Sequence, residues 1–379
     1  MTFATYVIPF VIILSVVVFF HEFGHFIVGR WCGVKVDAFS IGFGPEVWSR
    51  MDRHGTRWRI AAIPLGGYVK FHGDANAASV PDPDSVSAMP EAERAVTFAA
   101  QPVWKRAAIV FAGPFANFLL AIVVFAGIFG YYGRTVMAPR IGAVIEGGAG
   151  QAAGFLPGDL VLSIDGAPID AFSKIQEIVS VSANTKLAFV VRRGDRDVSL
   201  EATPAWREVE SAAGKVRIGM LGLKSSADAK DVREERFGPV ESIGMGFSET
   251  WQVVHRTGAY IAGLASGRES ADQLSGPIGI AQISGQAALA AAKVGFAPFF
   301  NLIAILSVSI GLLNLMPVPL LDGGHLLFFT IEAVRGRALN ERAQELAFRL
   351  GLAMVGGLMI FSTYNDIARL LQRLVGGAS

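Results

Sequence analysis

The sequence predicts a polytopic α-helical membrane protein: about four transmembrane helices, a β-hairpin on the cytoplasmic side, and a small extracytoplasmic α/β domain. Three observations carry that expectation. Hydrophobic residues make up 52% of the 379 and charged residues only 17%, where a soluble domain carries roughly 25% charged. Mean hydropathy is +0.46, and several apolar runs reach the ~20 residues that a span needs. The basic residues, finally, gather between particular runs, although 33 Lys and Arg against 32 Asp and Glu leave a formal charge of only +1. That balance lacks the basic footprint of a nucleic-acid binder. The single cysteine, Cys32, excludes an intramolecular disulfide framework and a multi-cysteine zinc site, and reads as a small buried apolar residue.

Residues 1–20 carry no charge and run directly into His21-Glu22-Phe23-Gly24-His25. They have neither the basic start nor the small-residue cleavage site of a signal peptide, so a retained first span is expected within 1–30. A cytoplasmic loop follows over 31–106, then a second span over 107–133. A folded module is expected over 134–206 and a connector over 207–293. The third span covers 294–321, a cytoplasmic connection 322–346, and the fourth span 347–372. Arg30, Lys35, Arg50, Arg53, Arg57, Arg59, Lys70, Arg94, Lys105 and Arg106 lie between the first two spans, and Arg335, Arg337 and Arg342 between the last two. Positive-inside logic puts both connections in the cytoplasm and the module outside.

Within the first loop, Arg57–Phe71 mixes β-branched and aromatic residues around Gly66-Gly67, which predicts a hairpin turning there. Residues 74–103 turn rich in Ala, Asp, Pro and Ser, the composition of a mobile linker. The module over 134–206 alternates short β-rich runs with Gly-Asp and Asp-Gly turns around one helical stretch near 172–182. In the connector, Val240, Ile243, Phe247, Trp251, Val254 and Ile261 recur at helical spacing opposite Glu241, Glu249, Gln252 and Arg256. Such an amphipathic helix can lie on a membrane surface or pack on the module.

The chemistry begins with His21, Glu22 and His25. In H-E-x-x-H on a helix, the two imidazoles share a face and can reach one metal ion, with the Glu beside it to take a proton from water. Fifteen residues beyond Tyr6, His21 lies ~22 Å into a hydrocarbon core of ~30 Å, where ionisable side chains are functional by default. A catalytic zinc takes three protein ligands. Among the carboxylates near the last two spans, Asp322 stands out, in Asn314-Leu-Met-Pro-Val-Pro-Leu-Leu-Asp-Gly-Gly324. Pro317 and Pro319 break the helix, and the glycine pair permits a tight path that turns Asp322 inward. Glu332 reads as an interfacial charge and Asp366 as a charge at a helix end.

H-E-F-G-H in the first helix, a Gly-rich hairpin after it, and N-x-x-P-x-P-x-L-D-G in a later one resemble the site-2 protease family of intramembrane zinc metalloproteases. Gly42-Phe-Gly-Pro45, Ile63-Pro-Leu-Gly-Gly-Tyr-Val-Lys70, Ala112-Gly-Pro-Phe-Ala-Asn117 and Leu274-Ser-Gly-Pro-Ile-Gly-Ile-Ala281 are similar to the regulator-of-sigma-E protease branch. The resemblance spans nearly the whole chain. It implies His21, His25 and Asp322 as Zn2+ ligands and Glu22 as catalytic acid/base. It implies that 134–206 is a single PDZ domain, where some relatives carry two. It also implies a multi-pass protein of the bacterial inner membrane, with that domain on the periplasmic side. The substrates implied are single-pass transmembrane proteins, such as anti-sigma factors, or remnant signal peptides, cut in regulated intramembrane proteolysis.

Hydrolysis inside lipid needs an unwound substrate. The hairpin edge at Gly67, Tyr68 and Val69 can pair with such a segment, or it can simply cap the helices. Asn314 and Asn117 carry amides at membrane depth, suited to a substrate backbone or a developing oxyanion, or equally to helix–helix hydrogen bonding. The PDZ-like module can capture a chain end or act as a size filter. Two rivals from other classes stand beside the protease. A metal transporter would be expected to show internal repeats or paired broken helices, and the sequence shows no second HExxH-like segment. A membrane-anchored PDZ scaffold leaves Glu22 between two histidines unexplained.

Overall fold

A computed structural model describes residues 4–74, 89–211, 214–226, 228–267 and 275–376. It divides into two compact units. The first holds residues 1–128, 240–258 and 271–379, and the second holds 129–239 and 259–270. Among the described residues, four helices are long and apolar enough to cross a membrane, as the composition predicts. They are α1 (Ala4–Trp31), α3 (Val103–Tyr132), α8 (Ala297–Asn314) and the bulk of α10 (Glu341–Gly376). At 1.5 Å per residue, the 30 residues of α3 extend ~45 Å, enough to cross the hydrocarbon and both interfaces.

Between α1 and α3 the chain forms β1 (Val36–Met51) and β2 (Arg57–Phe71), then the single turn α2 (Glu91–Arg94). The reversal falls at Asp52–Thr56 and not at Gly66-Gly67. The Asp52 carboxylate accepts the N–H groups of His54 and Thr56, each at 2.9 Å, and pairs with the Arg30 guanidinium from the end of α1. Burial alone would push the Asp52 carboxyl up, but these bonds outweigh it and hold it down at about 2. Gly66, with φ +105°, bends β2 so that it pairs twice. Phe39 of β1 faces Trp58 on one side and Val69 on the other, while Trp58 also faces Arg50. The result is a curled sheet of four segments whose outer edge is Gly67–Phe71. It is clamped on α1 by an aromatic cluster of Phe26, Phe39, Trp58 and Phe71.

Residues 75–88, the richest part of the predicted linker, lie outside the described residues. From 89 to 103 the linker reading is corrected, since the chain there is folded. Phe98, 6% exposed, stacks on Phe71 at 5.2 Å between ring centroids, and this burial offsets the small-residue composition. Cys32 is half-buried against the same cluster.

The second unit begins with β3 (Arg134–Met137) and β4 (Ile141–Val144), then the turn α4 (Ala149–Ala152). A four-stranded sheet follows, ordered β6-β5-β7-β8, from β5 (Leu160–Ile164), β6 (Ala167–Pro168), β7 (Leu187–Arg193) and β8 (Arg196–Ala202). Helix α5 (Phe172–Val181) buries Phe172, Ile175 and Val179 among Val161, Phe189 and Val191. Asp159, 1% exposed, is held by Arg193 at 2.8 Å. The fold extends past 206 into the expected connector. Strands β9 (Ala205–Ser211) and β10 (Gly214–Met220) form a hairpin. β11 (Leu223–Ser225) then pairs with β4, and β12 (Val232–Glu235) with β3. These last strands are short and charged, and so carry no alternation to read.

Helix α6 (Pro239–Ala265) is amphipathic as expected, but it packs on α3 through its small-residue face. Ser242, Gly246, Thr250 and Val253 are its buried face, with Gly246 tight against Ile122 and Ala126 of α3. Val240, Ile243, Phe247 and Trp251 stay exposed. α7 (Pro277–Val294) packs on α1, its Gly285 against Tyr6. Asp366 is not at a helix end. It lies inside α10, 4% exposed, where it accepts the Gly279 N–H at 2.8 Å and pairs with Arg369.

Candidate metal centre

Three elements of the first unit converge on one point. α1 carries His21 and His25 one turn apart. After α8 the chain leaves helical geometry at Pro317 and Pro319, passes Leu320 at φ +99°, and restarts as α9 (Asp322–Arg335) with Asp322 as its first residue. A left-handed leucine is a strained conformation that its surroundings must impose. The glycines after Asp322 let the new helix press on that loop, where a Cβ at Gly323 would meet the Leu315 and Met316 carbonyl oxygens at 2.3 Å.

His21 Nε2 lies 3.1 Å from Asp322 Oδ2 and 3.2 Å from His25 Nε2, and His25 Nε2 lies 3.5 Å from Asp322 Oδ1. Ligands at 2.0–2.2 Å around a tetrahedral zinc stand about 3.3–3.5 Å from one another; the two imidazole nitrogens, and each with its nearer Asp322 oxygen, come close to that spacing, so the donor set suits such an ion. These three residues can hold a metal, their ligand atoms all lying within 4.8 Å of one another. Asp322 Oδ2 is buried without a hydrogen-bond partner, an oxygen suited to a cation. His25 Nδ1 donates to the Ile109 carbonyl at 2.9 Å, which leaves its Nε2 lone pair facing the other two donors.

Glu22 points into the same cavity, of ≈ 200 Å³, which Gly67, Tyr68 and Val69 also border. The backbone N–H of Val69 donates to the Glu22 carboxylate. Val69→Pro would therefore disturb Glu22 as well as the sheet edge. Asn314 and Asn117 both meet His21. Asn314 Nδ2 lies 3.2 Å from its Nε2, and Asn117 Nδ2 lies 3.3 Å from its Nδ1. His325, absent from the sequence reading, lines the cavity with Leu320. Its spacing of three from Asp322 puts both on one helix face, a signal that was available. Glu332 stands apart from the donors, paired with Arg106 at 2.6 Å.

Residues 9–358 match the sequence profile of peptidase family M50, the site-2 protease family. The chain belongs to this family. Its relatives include proteins named zinc metalloproteases from Agrobacterium fabrum, 47% identical over 97% of this chain and 96% of its own length, and from Rhizobium meliloti, 49% identical over 96% of each. Metalloprotease MmpA of Caulobacter vibrioides is 42% identical over 96% of each chain. This M50 protease is thus a zinc-dependent metalloendopeptidase, with four candidate membrane spans among the described residues.

Proposed function

We propose that the chain is an intramembrane protease of the regulator-of-sigma-E type. In this reading His21, His25 and Asp322 hold zinc, and Glu22 is the acid/base. The observation that carries it is the convergence of two imidazole nitrogens and the Asp322 carboxylate, 3.1–3.5 Å apart, beside Glu22 in a cavity bordered by a sheet edge. When bound, zinc supplies a Lewis acid for the scissile carbonyl and lowers the pKa of water toward ~7. Glu22, oriented by the Val69 N–H, accepts the proton released in attack and returns it to the leaving nitrogen. The Gly67–Val69 edge receives the unwound substrate as an added strand. In the same reading Asn314 donates to the oxygen on which charge develops, a role supported by its amide nitrogen lying 3.2 Å from His21 Nε2.

The substrates proposed are single-pass transmembrane proteins, cut in regulated intramembrane proteolysis in the bacterial inner membrane, with the basic loops inside and the second unit in the periplasm. That unit acts as a single PDZ-like domain. A groove of ≈ 400 Å³ between α5 and Ile218–Leu223 favours capture of a chain end.

The test is cleavage of a single-pass helical reporter by the zinc-loaded wild type and by Glu22→Gln. Cutting by the wild type alone, with equal metal in both, supports the reading. Equal cutting by both sinks it.

A further inference from the structure

Helix α3 contributes none of the three donor atoms, yet it touches both histidines. Ile109, Gly113 and Asn117 are spaced four apart and share one face. The Ile109 carbonyl accepts the His25 Nδ1–H, and Gly113 leaves room for the His25 ring. The amide of Asn117 reaches His21 Nδ1 at 3.3 Å. Asn117 is 0% exposed, and Oδ1, the amide atom turned away from the ring, is buried without a partner.

An amide's oxygen and nitrogen have nearly the same shape, so hydrogen bonding decides which faces the ring. Turning the Asn117 amide exchanges one unpartnered atom for another, and the choice falls to the imidazole. With Nδ2 toward His21, the ring must offer a lone pair at Nδ1 and carry its proton on Nε2. That proton would stand between the three donors, 3.1 Å from Asp322 Oδ2 and 3.2 Å from His25 Nε2, and would block Nε2 as a ligand. With Oδ1 toward His21, the amide accepts from Nδ1–H and the Nε2 lone pair faces the donor set. Only the second arrangement is compatible with three ligands.

We propose that Asn117 is the positioning residue of His21: its side-chain carbonyl accepts from Nδ1–H and fixes the metal-binding tautomer, as the Ile109 carbonyl does for His25. The proposal rests on the metal-site reading above. It separates Asn117 from Asn314, whose amide lies by Nε2 itself, and takes Asn117 out of substrate binding.

Two measurements on the full-length chain in detergent micelles test it. In the zinc-free wild type, ¹⁵N shifts of the His21 imidazole should report the Nδ1–H tautomer; an Nε2–H tautomer overturns the proposal without any variant. Zinc affinity is then read by competition with a chromophoric chelator. Asn117→Leu removes the acceptor and should weaken zinc 10–100-fold, the usual consequence of losing a ligand's outer partner. Asn117→Asp keeps an acceptor and should hold zinc within about threefold of the wild type, or more tightly, as carboxylate–histidine–metal arrangements do. Unchanged affinity in Asn117→Leu, with turnover lost in both variants, would assign the amide to the substrate and overturn the proposal. His21→Ala separates the two levels: if it too leaves zinc affinity unchanged, the metal-site reading has failed and not the role of Asn117 alone.

Discussion

A single methyl group at Gly113 tests the metal centre most sharply. A Cβ there would lie 2.2 Å from His25 Nε2, 2.4 Å from Cε1 and 2.9 Å from Cδ2. Non-bonded heavy atoms settle at about 3.5–4.0 Å, so the ring must retreat by more than ~1 Å. Its Nδ1 bond to Ile109 leaves little freedom to swing aside. Metal–ligand distances tolerate only about ±0.2 Å, so Gly113→Ala removes His25 from the donor set. Loss of an outer partner alone weakens a site 10–100-fold. Loss of a ligand should therefore cost at least ~100-fold in zinc affinity, or about 2.8 kcal/mol. Gly127→Ala on the same helix is the control, since nothing lies within 4 Å of its added Cβ. There the better helix former should leave stability equal or up to ~1 kcal/mol higher. Zinc competition, melting of the metal-free protein and reporter cleavage are read for both. Equal zinc affinity in the two variants, with both folded, would show that His25 is not a ligand or that its ring moves freely.

Other perturbations separate the parts of the site and of the fold. In Gly67→Ala, the new Cβ would meet Ser40 O at 2.7 Å and Glu22 Cγ at 3.0 Å; kcat should fall about 10-fold or more while zinc affinity stays unchanged, because no ligand is touched. The Asp52 carboxyl, held at about 2 in the folded chain, contributes stability that is fully present above its unfolded value near 4 and lost as pH falls toward 2. Hydrogen exchange of β1 and β2 amides should therefore speed up over that window, and Asp52→Asn should abolish the pH dependence. Phe189→Ala, at a position 1% exposed in the core of the second unit, should destabilise that unit by about 3–5 kcal/mol in denaturant unfolding followed by hydrogen exchange. A picolinate-type chelator should stop cleavage, and added zinc should restore it.

What could be read from the letters follows from how local each cause is. H-E-x-x-H needs only helix periodicity, and the run from Asn314 to Gly324 announces its own break through Pro317 and Pro319, so the three residues whose ligand atoms converge were nameable in advance. The hairpin was legible as β-rich sequence but not as a path. Its reversal depends on Asp52 meeting Arg30 of α1, a long-range contact, while the more conspicuous Gly66-Gly67 only bends a strand. The apolar periodicity of α6 was real, yet its buried face is the small-residue one, Ser242, Gly246 and Thr250, because Gly246 lets the helix come close to α3. Asp366 looked peripheral since nothing in its neighbours in sequence reveals Gly279, 87 positions away. For Asn117 the sequence offered two roles, substrate contact and helix–helix bonding, and the partner it meets is a histidine of the donor set.

The stripe of three residues spaced four apart on α3 makes the chemistry inseparable from helix packing. His21 and His25 repeat every four residues on α1, and Asn117, Gly113 and Ile109 run the opposite way past them on α3. Successive residues on a helix are turned about 100° from each other. A one-residue slip of α3 would thus carry the Ile109 carbonyl, the Gly113 gap and the Asn117 amide off the histidines together. The same helix also holds the third donor's support: Arg106, one turn before Ile109, pairs with Glu332 on α9, ten residues beyond Asp322. Glu332→Gln keeps the shape and removes the charge, so it tests whether this anchor matters to the metal. If α9 is fixed mainly by that pair, zinc affinity should fall several-fold and zinc should dissociate faster, with His21 and His25 untouched. If affinity and dissociation rate are unchanged, Asp322 is held by the loop at Leu320 and the Gly323-Gly324 contacts alone, and the role of α3 ends at the two histidines.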